Sequence, residues 1–326
     1  MSASVPVSSS RRRSRGRVYS NILETIGHTP VVELRRLSPK PGVRILVKLE
    51  GQNPSGSVKD RIALAMIEEA ERRGELTRGK TILEPSSGNT GIALALVGRV
   101  KGYPVKIVMP ENVSVERRQL LSLYGAEVVL SDGRLGSNGA IDLAFKLVND
   151  GDYYMPYQYG NEMNPRAHYL TTGAEIVEDV PEVDVFVAGL GTGGTLMGVG
   201  RRLKEHNPRV RIIAVEPEQG DLVQGLRSLA DGYIPPILDL DFLDGKIICS
   251  SGQALEAQRR LALYEGIFGG ISSGAVMYAA LRIAQNMEHG TIVALLADGV
   301  WKYLSTGLWA KDAGTFEQEM ADKLWW

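Results

Sequence analysis

The stretch DVFVAGLGTGGTLMGVGRRLKEH, residues 184–206, decides how this chain is read. Its first seven residues form a short, consecutively apolar run of strand type, and residues 194–206 read as a helix. A glycine-rich turn joins the two. Working outward, the same strand-turn-helix order recurs. Residues 81–85 (TILEP) are a strand, Ser86-Ser87-Gly88-Asn89-Thr90-Gly91 a turn, and 89–101 a mostly apolar helix closed by Gly102. Further strands are read at 44–50, 105–110, 127–130, 211–217 and 291–298. Further helices are read at 57–73, 114–124, 138–149, 166–179, 253–264 and 273–286, with Ser114 placed to cap its helix. Strands that are apolar on consecutive positions suit parallel sheets covered by helices on both faces. The expected fold class is therefore α/β, with two open, twisted, mostly parallel sheets flanked by helices. The active site is expected in the crevice beyond the carboxyl ends of the strands. Residues 221–244, rich in Pro and Asp, are expected to form a long loop beside it.

Composition bounds the function. The chain has 326 residues, 44% hydrophobic and 23% charged, which is a globular balance. Lys+Arg at 37 against Asp+Glu at 38 gives no global pull toward nucleic acid. One cysteine, Cys249, excludes an internal disulfide, and the four dispersed histidines argue against a structural zinc site, so no metal is expected. No apolar stretch approaches the roughly 20 residues that span a bilayer. These features point to a reducing cytoplasm and no membrane partner. Residues 1–19 form a Ser- and Arg-rich extension without an apolar segment, so it is no secretory signal. A disordered extension, a mis-assigned start and a basic tail for acidic surfaces all fit it.

Three glycine clusters follow strands or open helices. Backbone N–H groups at 86–91 and at Gly191-Thr192-Gly193-Gly194-Thr195 can hold an anion. The second cluster superficially suggests a dinucleotide site, but no Walker lysine follows, and a phosphate cradle for a smaller cofactor fits as well. Ligand-free turns are the alternative. The third cluster, Gly269-Gly270-Ile271-Ser272-Ser273-Gly274, can be a helix cap and packing turn alone. Lys59 stands in the first turn of a helix, where positive charge opposes the dipole. Imine formation with an aldehyde is one reason for such a lysine, and balance by Asp60 in solvent is the other.

Taken together and in order, NPSGSVKDR, EPSSGNTG, MPENVSVERRQLLSLYGAEV, GLGTGGTLMG and GGISSGA resemble the fold-type II pyridoxal-phosphate enzymes of the cysteine synthase branch, which are tryptophan synthase β-like. The resemblance runs from about residue 20 to the C-terminus. It implies pyridoxal 5'-phosphate held by Lys59 as an internal aldimine, with its phosphate on Gly191, Thr192, Gly193, Gly194 and Thr195. Asn89 would meet the ring 3'-oxygen and Ser272 the pyridine nitrogen. A neutral serine there tempers the electron sink and suits β-elimination. Ser86, Ser87, Asn89 and Thr90, assisted by Gln158, would hold the substrate carboxylate. YQYGN at 157–161, GLRSLADGYIP at 225–235 and DGVWKYLSTG at 298–307 resemble the mycobacterial-type branch that prefers O-phosphoserine. In that branch Arg227 would bind the substrate phosphate.

The activity so implied is cysteine synthesis by β-replacement through an α-aminoacrylate intermediate, with Lys59 as the base. O-phosphoserine is the expected substrate. O-acetylserine, a cystathionine β-synthase reaction and a non-catalytic binding protein are the alternatives. Sulfide or a small thiocarboxylated carrier protein would supply sulfur. The resemblance further implies a homodimer, a smaller mobile domain at 48–155, and a larger cofactor-binding domain of 20–47 plus 156–312. It also implies a C-terminal helix and tail at 313–326, ending in Trp325 and Trp326, that can reach the active site.

Overall fold

The computed structural model describes residues 18–306, apart from 87, 150, 151 and 222. The extension as far as residue 17, Ser87 and the tail with Trp325 and Trp326 lie outside the described residues.

The chain opens with β1 (Val31–Leu34) and β2 (Val43–Leu49), followed by α1 (Lys59–Arg73). Then come β3 (Thr81–Pro85), α2 (Asn89–Lys101), β4 (Val105–Pro110), α3 (Val115–Leu123), β5 (Glu127–Ser131), α4 (Gly136–Asn149) and β6 (Tyr153–Tyr154). Next are α5 (Met163–Leu170), α6 (Thr172–Asp179), β7 (Val185–Gly189), α7 (Gly194–His206) and β8 (Arg211–Pro217). The series ends with β9 (Gly245–Cys249), α8 (Ser251–Glu265), α9 (Ile271–Gln285) and β10 (Gly290–Leu296). Two sheets result. One has the order β1-β2-β10-β7-β8-β9 and the other β5-β4-β3-β6. Every pairing is parallel except β1 with β2.

The consecutive apolar runs have a direct cause. Alternate residues of a strand point to opposite faces. Ile45, Val187, Ile213 and Ile292 pack in one layer with α8 and α9. Their strand neighbours Leu46, Phe186, Ile212 and Val293 pack in the other with α6 and α7. Both faces are covered, so most positions along these strands are apolar, and the charged ones that are buried, Lys48 and Glu216, are ion-paired. In the smaller sheet Ile82 and Ile107 face α1 and α2, whereas Leu83 and Val108 face α4.

Three strands depart from the sequence reading. β1, β6 and β9 carry no continuous apolar run, and each lies at a sheet edge. The helix expected over 166–179 is two helices, α5 and α6, broken at Thr171 (φ −118°, ψ −78°). The Thr171 hydroxyl donates to the Ala167 carbonyl at 2.7 Å, a local bond that competes with the helical ladder. Ser114 occupies the N-cap position of α3, but its hydroxyl turns to the Lys302 carbonyl instead of capping. Residues 221–244 are irregular as expected, with one short 3-10 turn at Leu229–Asp231 among the described residues.

Two contacts place the elements that line the crevice. Gly198 lets α5 and α7 touch, because a Cβ there would stand 2.1 Å from the Pro165 carbonyl oxygen. On α1, Arg61 joins Glu50 (2.7 Å) and Glu175 (2.6 Å), and Lys48 adds a second bond to Glu175 (2.8 Å). Burial pushes the Glu175 carboxyl up, but Arg61 and Lys48 outweigh it and hold it at about 2. The lone Cys249 is fully buried at the end of β9, where burial pushes its thiol up to about 12.

Arg61→Ala would leave Glu50 buried without its cation. A loss of about 3–5 kcal/mol in unfolding free energy is expected, measured by urea denaturation.

Candidate active site

A cavity of about 110 Å³ opens where the two sheets meet. It is lined by Lys59, Ser86, Asn89, Thr90, Gln158, Gly191, Thr192, Arg227 and Ser272, and a smaller lobe reaches Gly193 and Thr195. Those predicted residues are therefore brought together from six segments of the chain. Gly194 is set back from the cavity, against Asn164, and Ser87 lies outside the described residues.

Lys59 is the first residue of α1, with its backbone N–H on Ser57 Oγ at 3.3 Å. Burial lowers its pKa, and Asp298 only partly offsets this. A buried amine so placed has a larger uncharged fraction, the form that acts as nucleophile or base. Ser86 follows β3 and accepts from the backbone N–H of Gly91 (3.0 Å) and Gly88 (3.3 Å). With both lone pairs used, its own hydrogen is left to donate. Thr90, on α2, donates to Gln158 Oε1 at 2.7 Å, so the Gln158 amide nitrogen is left for other partners.

The glycine-rich loop enters α7 through Gly193, whose φ of +87° lies in the left-handed region. A Cβ at Gly193 would also stand 2.9 Å from Leu238, so glycine is required twice over. A Cβ at Gly191 would stand 3.1 Å from the Gly225 carbonyl oxygen and narrow the cradle. The Gly194 N–H and the Asn164 amide both donate to Thr192 Oγ1, at 3.3 and 2.9 Å. Thr195 Oγ1 lies 3.2 Å from His168 Nε2, and burial holds His168 well below its ordinary pKa. Ser272 sits in the first turn of α9, beneath Gly225. Arg227 is buried, its guanidinium 4.7 Å from the Tyr233 ring centroid and 5.4 Å from that of Tyr159.

Several residues of the site were not singled out from sequence. Asn164 ties Gln158 to the loop by donating to the Gln158 carbonyl and to Thr192. Asp298, Lys302 and Tyr303 gather around Asn89. Burial lowers Lys302 to about 8, against the pull of Asp298 and Asp60. Glu84 accepts from the backbone N–H groups of Tyr157 (2.8 Å) and Gln158 (3.1 Å). Tyr157 has a φ of +51°, uncommon for a side-chain-bearing residue, and Glu84 holds that turn in place. No group of three or more His, Cys, Asp or Glu side chains that could hold a metal is found among the described residues. No helix among them is long and apolar enough to cross a membrane.

The family model "Pyridoxal-phosphate dependent enzyme" matches residues 22–298. The chain belongs to this family and, within it, to the cysteine synthase group of fold-type II enzymes. A "Cysteine synthase" of Staphylococcus aureus is 47% identical over 302 residues, 90% of this chain and 97% of that relative. Among solved structures, a cysteine synthase (OASS) of Entamoeba histolytica superposes with a TM-score of 0.87 at 39% identity, covering 98% and 99% of the two chains. An O-acetyl serine sulfhydrylase isoform 3 from the same organism gives 0.86 at 37% identity and covers 99% of each. These relatives do not single out the O-phosphoserine branch expected from the sequence motifs.

The enzyme depends on pyridoxal 5'-phosphate, and the cavity fits that group. A buried amine of lowered pKa lies in the same cavity as an anion cradle at the α7 N-terminus that any side chain at Gly191 would narrow.

Burial pushes the Glu84 carboxyl up from 4.5 to about 7, against the pull of its N–H donors. An acid raised on folding stabilises the fold most below its unfolded pKa, and that contribution is lost as pH rises through the folded one. Glu84→Gln should therefore remove a pH-dependent difference on the order of 3 kcal/mol between pH 4.5 and about 7. Urea unfolding of both proteins across that range checks it.

Proposed function

We propose that this enzyme is a cysteine synthase: it replaces the leaving group on Cβ of an O-activated L-serine with a sulfur nucleophile and releases L-cysteine. The observation that carries the reading is the buried Lys59 amine in one cavity with the 191–195 cradle, the Ser86 and Gln158 donors and the Thr90 that orients Gln158. When bound, pyridoxal 5'-phosphate supplies an electron sink that acidifies Cα of the amino acid. Lys59 would hold the cofactor, then take the Cα proton at Nζ and later return it. Gly191, Thr192, Gly193, Gly194 and Thr195 would hold the phosphate, Asn89 the ring oxygen, and Ser272 the ring nitrogen. The hydroxyl hydrogen of Ser86 and the amide nitrogen of Gln158 would donate to the substrate carboxylate, with the backbone N–H groups of Asn89 and Thr90 at the start of α2 completing that side. The Cβ–O bond breaks with its electron pair on the departing oxygen, and the sulfur nucleophile supplies the pair for the new Cβ–S bond. Free sulfide is the simplest donor for this step.

Likeness to the Entamoeba O-acetyl serine sulfhydrylase supports O-acetylserine as the substrate. Arg227 favours a second reading, O-phosphoserine. Its guanidinium lines the cavity and stacks on tyrosine rings, and among the described residues it forms no ion pair with a carboxylate. A dianionic phosphate leaving group would use that charge more fully than singly charged acetate.

Spectra of the holoenzyme, titrated with each substrate in the absence of sulfur, separate the readings. Conversion of the visible cofactor band by O-acetylserine, unchanged in Arg227→Ala, supports the first. Conversion at much lower O-phosphoserine concentration, lost by about 10- to 100-fold in Arg227→Ala, supports the second. No conversion by either substrate would sink the cysteine synthase assignment.

A further inference from the structure

The Asn89 carboxamide is gripped by opposite charges. Its Nδ2 donates to Asp298 Oδ2 at 2.7 Å, and its Oδ1 accepts from Lys302 Nζ at 2.7 Å. An ammonium can only donate and a carboxylate can only accept. A flipped amide would set N–H against ammonium and oxygen against carboxylate, losing both bonds and meeting two repulsions. Both charged groups are almost wholly buried, at 2% exposure for Asp298 and 1% for Lys302, so solvent does little to soften this choice. Asp298 is itself fixed, because the Tyr303 hydroxyl donates to Oδ2 at 2.5 Å and the Arg117 guanidinium covers the Tyr303 ring at 5.2 Å. An amide nitrogen carries two hydrogens, and Asp298 takes one.

We propose that Asp298 and Lys302 are positioning residues that lock the Asn89 carboxamide so that its uncommitted N–H, and not its oxygen, is available to the cofactor. This rests on the reading of the cavity as the cofactor pocket with Asn89 at the ring oxygen. The device has a plain use. An amide free to flip would present a donor part of the time and an acceptor the rest, and a ring oxygen bearing negative charge rewards only the donor.

The test uses purified holoenzyme and two readouts besides turnover: the position of the visible cofactor band and the rate of cofactor loss on dilution. Lys302→Met should shift the band and release cofactor about tenfold faster or more, whereas Lys302→Arg should restore wild-type behaviour. The double substitution Asn89→Asp with Asp298→Asn keeps both contacts satisfied, since the introduced carboxylate accepts from Lys302 and from the introduced amide. It should fold, with a melting temperature lowered somewhat because the Tyr303 hydroxyl loses its carboxylate acceptor, and show the shifted band, because the donor is gone. It also serves where Lys302→Met fails to fold. A folded Lys302→Met protein with wild-type band and retention, or a double variant with both unchanged, overturns the proposal. Lys59→Ala separates this from failure of the pocket reading, because an unaltered visible band there would place the cofactor elsewhere.

Discussion

A buried pair of cations and a buried pair of carboxylates fix the start of the helix that carries Lys59. Arg61 reaches Glu50 and Glu175 with both edges of its guanidinium, and Lys48 closes the set from β2. Such clusters are poor sources of net stability, since desolvation consumes most of the Coulomb gain. What they supply is direction. A planar guanidinium bonded on two sides admits one pose. Arg61 lies two residues beyond Lys59 in α1, so the pose of one fixes the start of the helix that carries the other. Because α1 packs on α2 and α5, the same cluster also sets how the smaller sheet's helices meet the larger sheet's.

The cavity is built on a similar logic at smaller scale. Hydroxyls and amides whose orientation would otherwise be free have one side already engaged. Ser86 accepts twice from backbone, Thr90 donates to Gln158, and Asn164 donates to Thr192. Each bond leaves the opposite capability for whatever enters. Groups so oriented need not reorganise when a charged ligand arrives, which is where an active site differs from water. Glu84 extends the arrangement outward by holding the strained Tyr157 turn and, through it, Gln158.

Much of this was legible in the sequence, for identifiable reasons. β3, α2, β4, α7 and β8 fall where the pattern put them, because a strand dry on both faces and a helix stopped by glycine leave strong marks. β9 is different. It alternates between half-buried and exposed positions at a sheet edge until the buried Cys249, and its Lys246 pairs with Glu216. Nothing in five residues says whether that is strand or loop. The loop residues 191–195 and Lys59 announced themselves by local rules: glycine before a helix, and a cation at the wrong end of a dipole. Asn164, Asp298 and Lys302 broke no local rule. Their importance comes from partners 28, 209 and 213 positions away, which no short window contains. The long-range partnership that sets Asn89 is therefore a property of the fold.

Cys249 carries a last consequence. An enzyme whose product is a thiol works among reactive sulfur species, and its own single sulfhydryl is sealed inside the larger sheet with its proton held on up to about pH 12. A protonated, inaccessible thiol neither attacks a disulfide nor is readily oxidised. The folded protein is thus chemically silent toward the very currency it handles, with no thiolate of its own to trap sulfane sulfur or to form mixed disulfides with its product. Its proposed nucleophile, the Lys59 amine, is nitrogen, and that choice of element keeps the machinery separate from the goods.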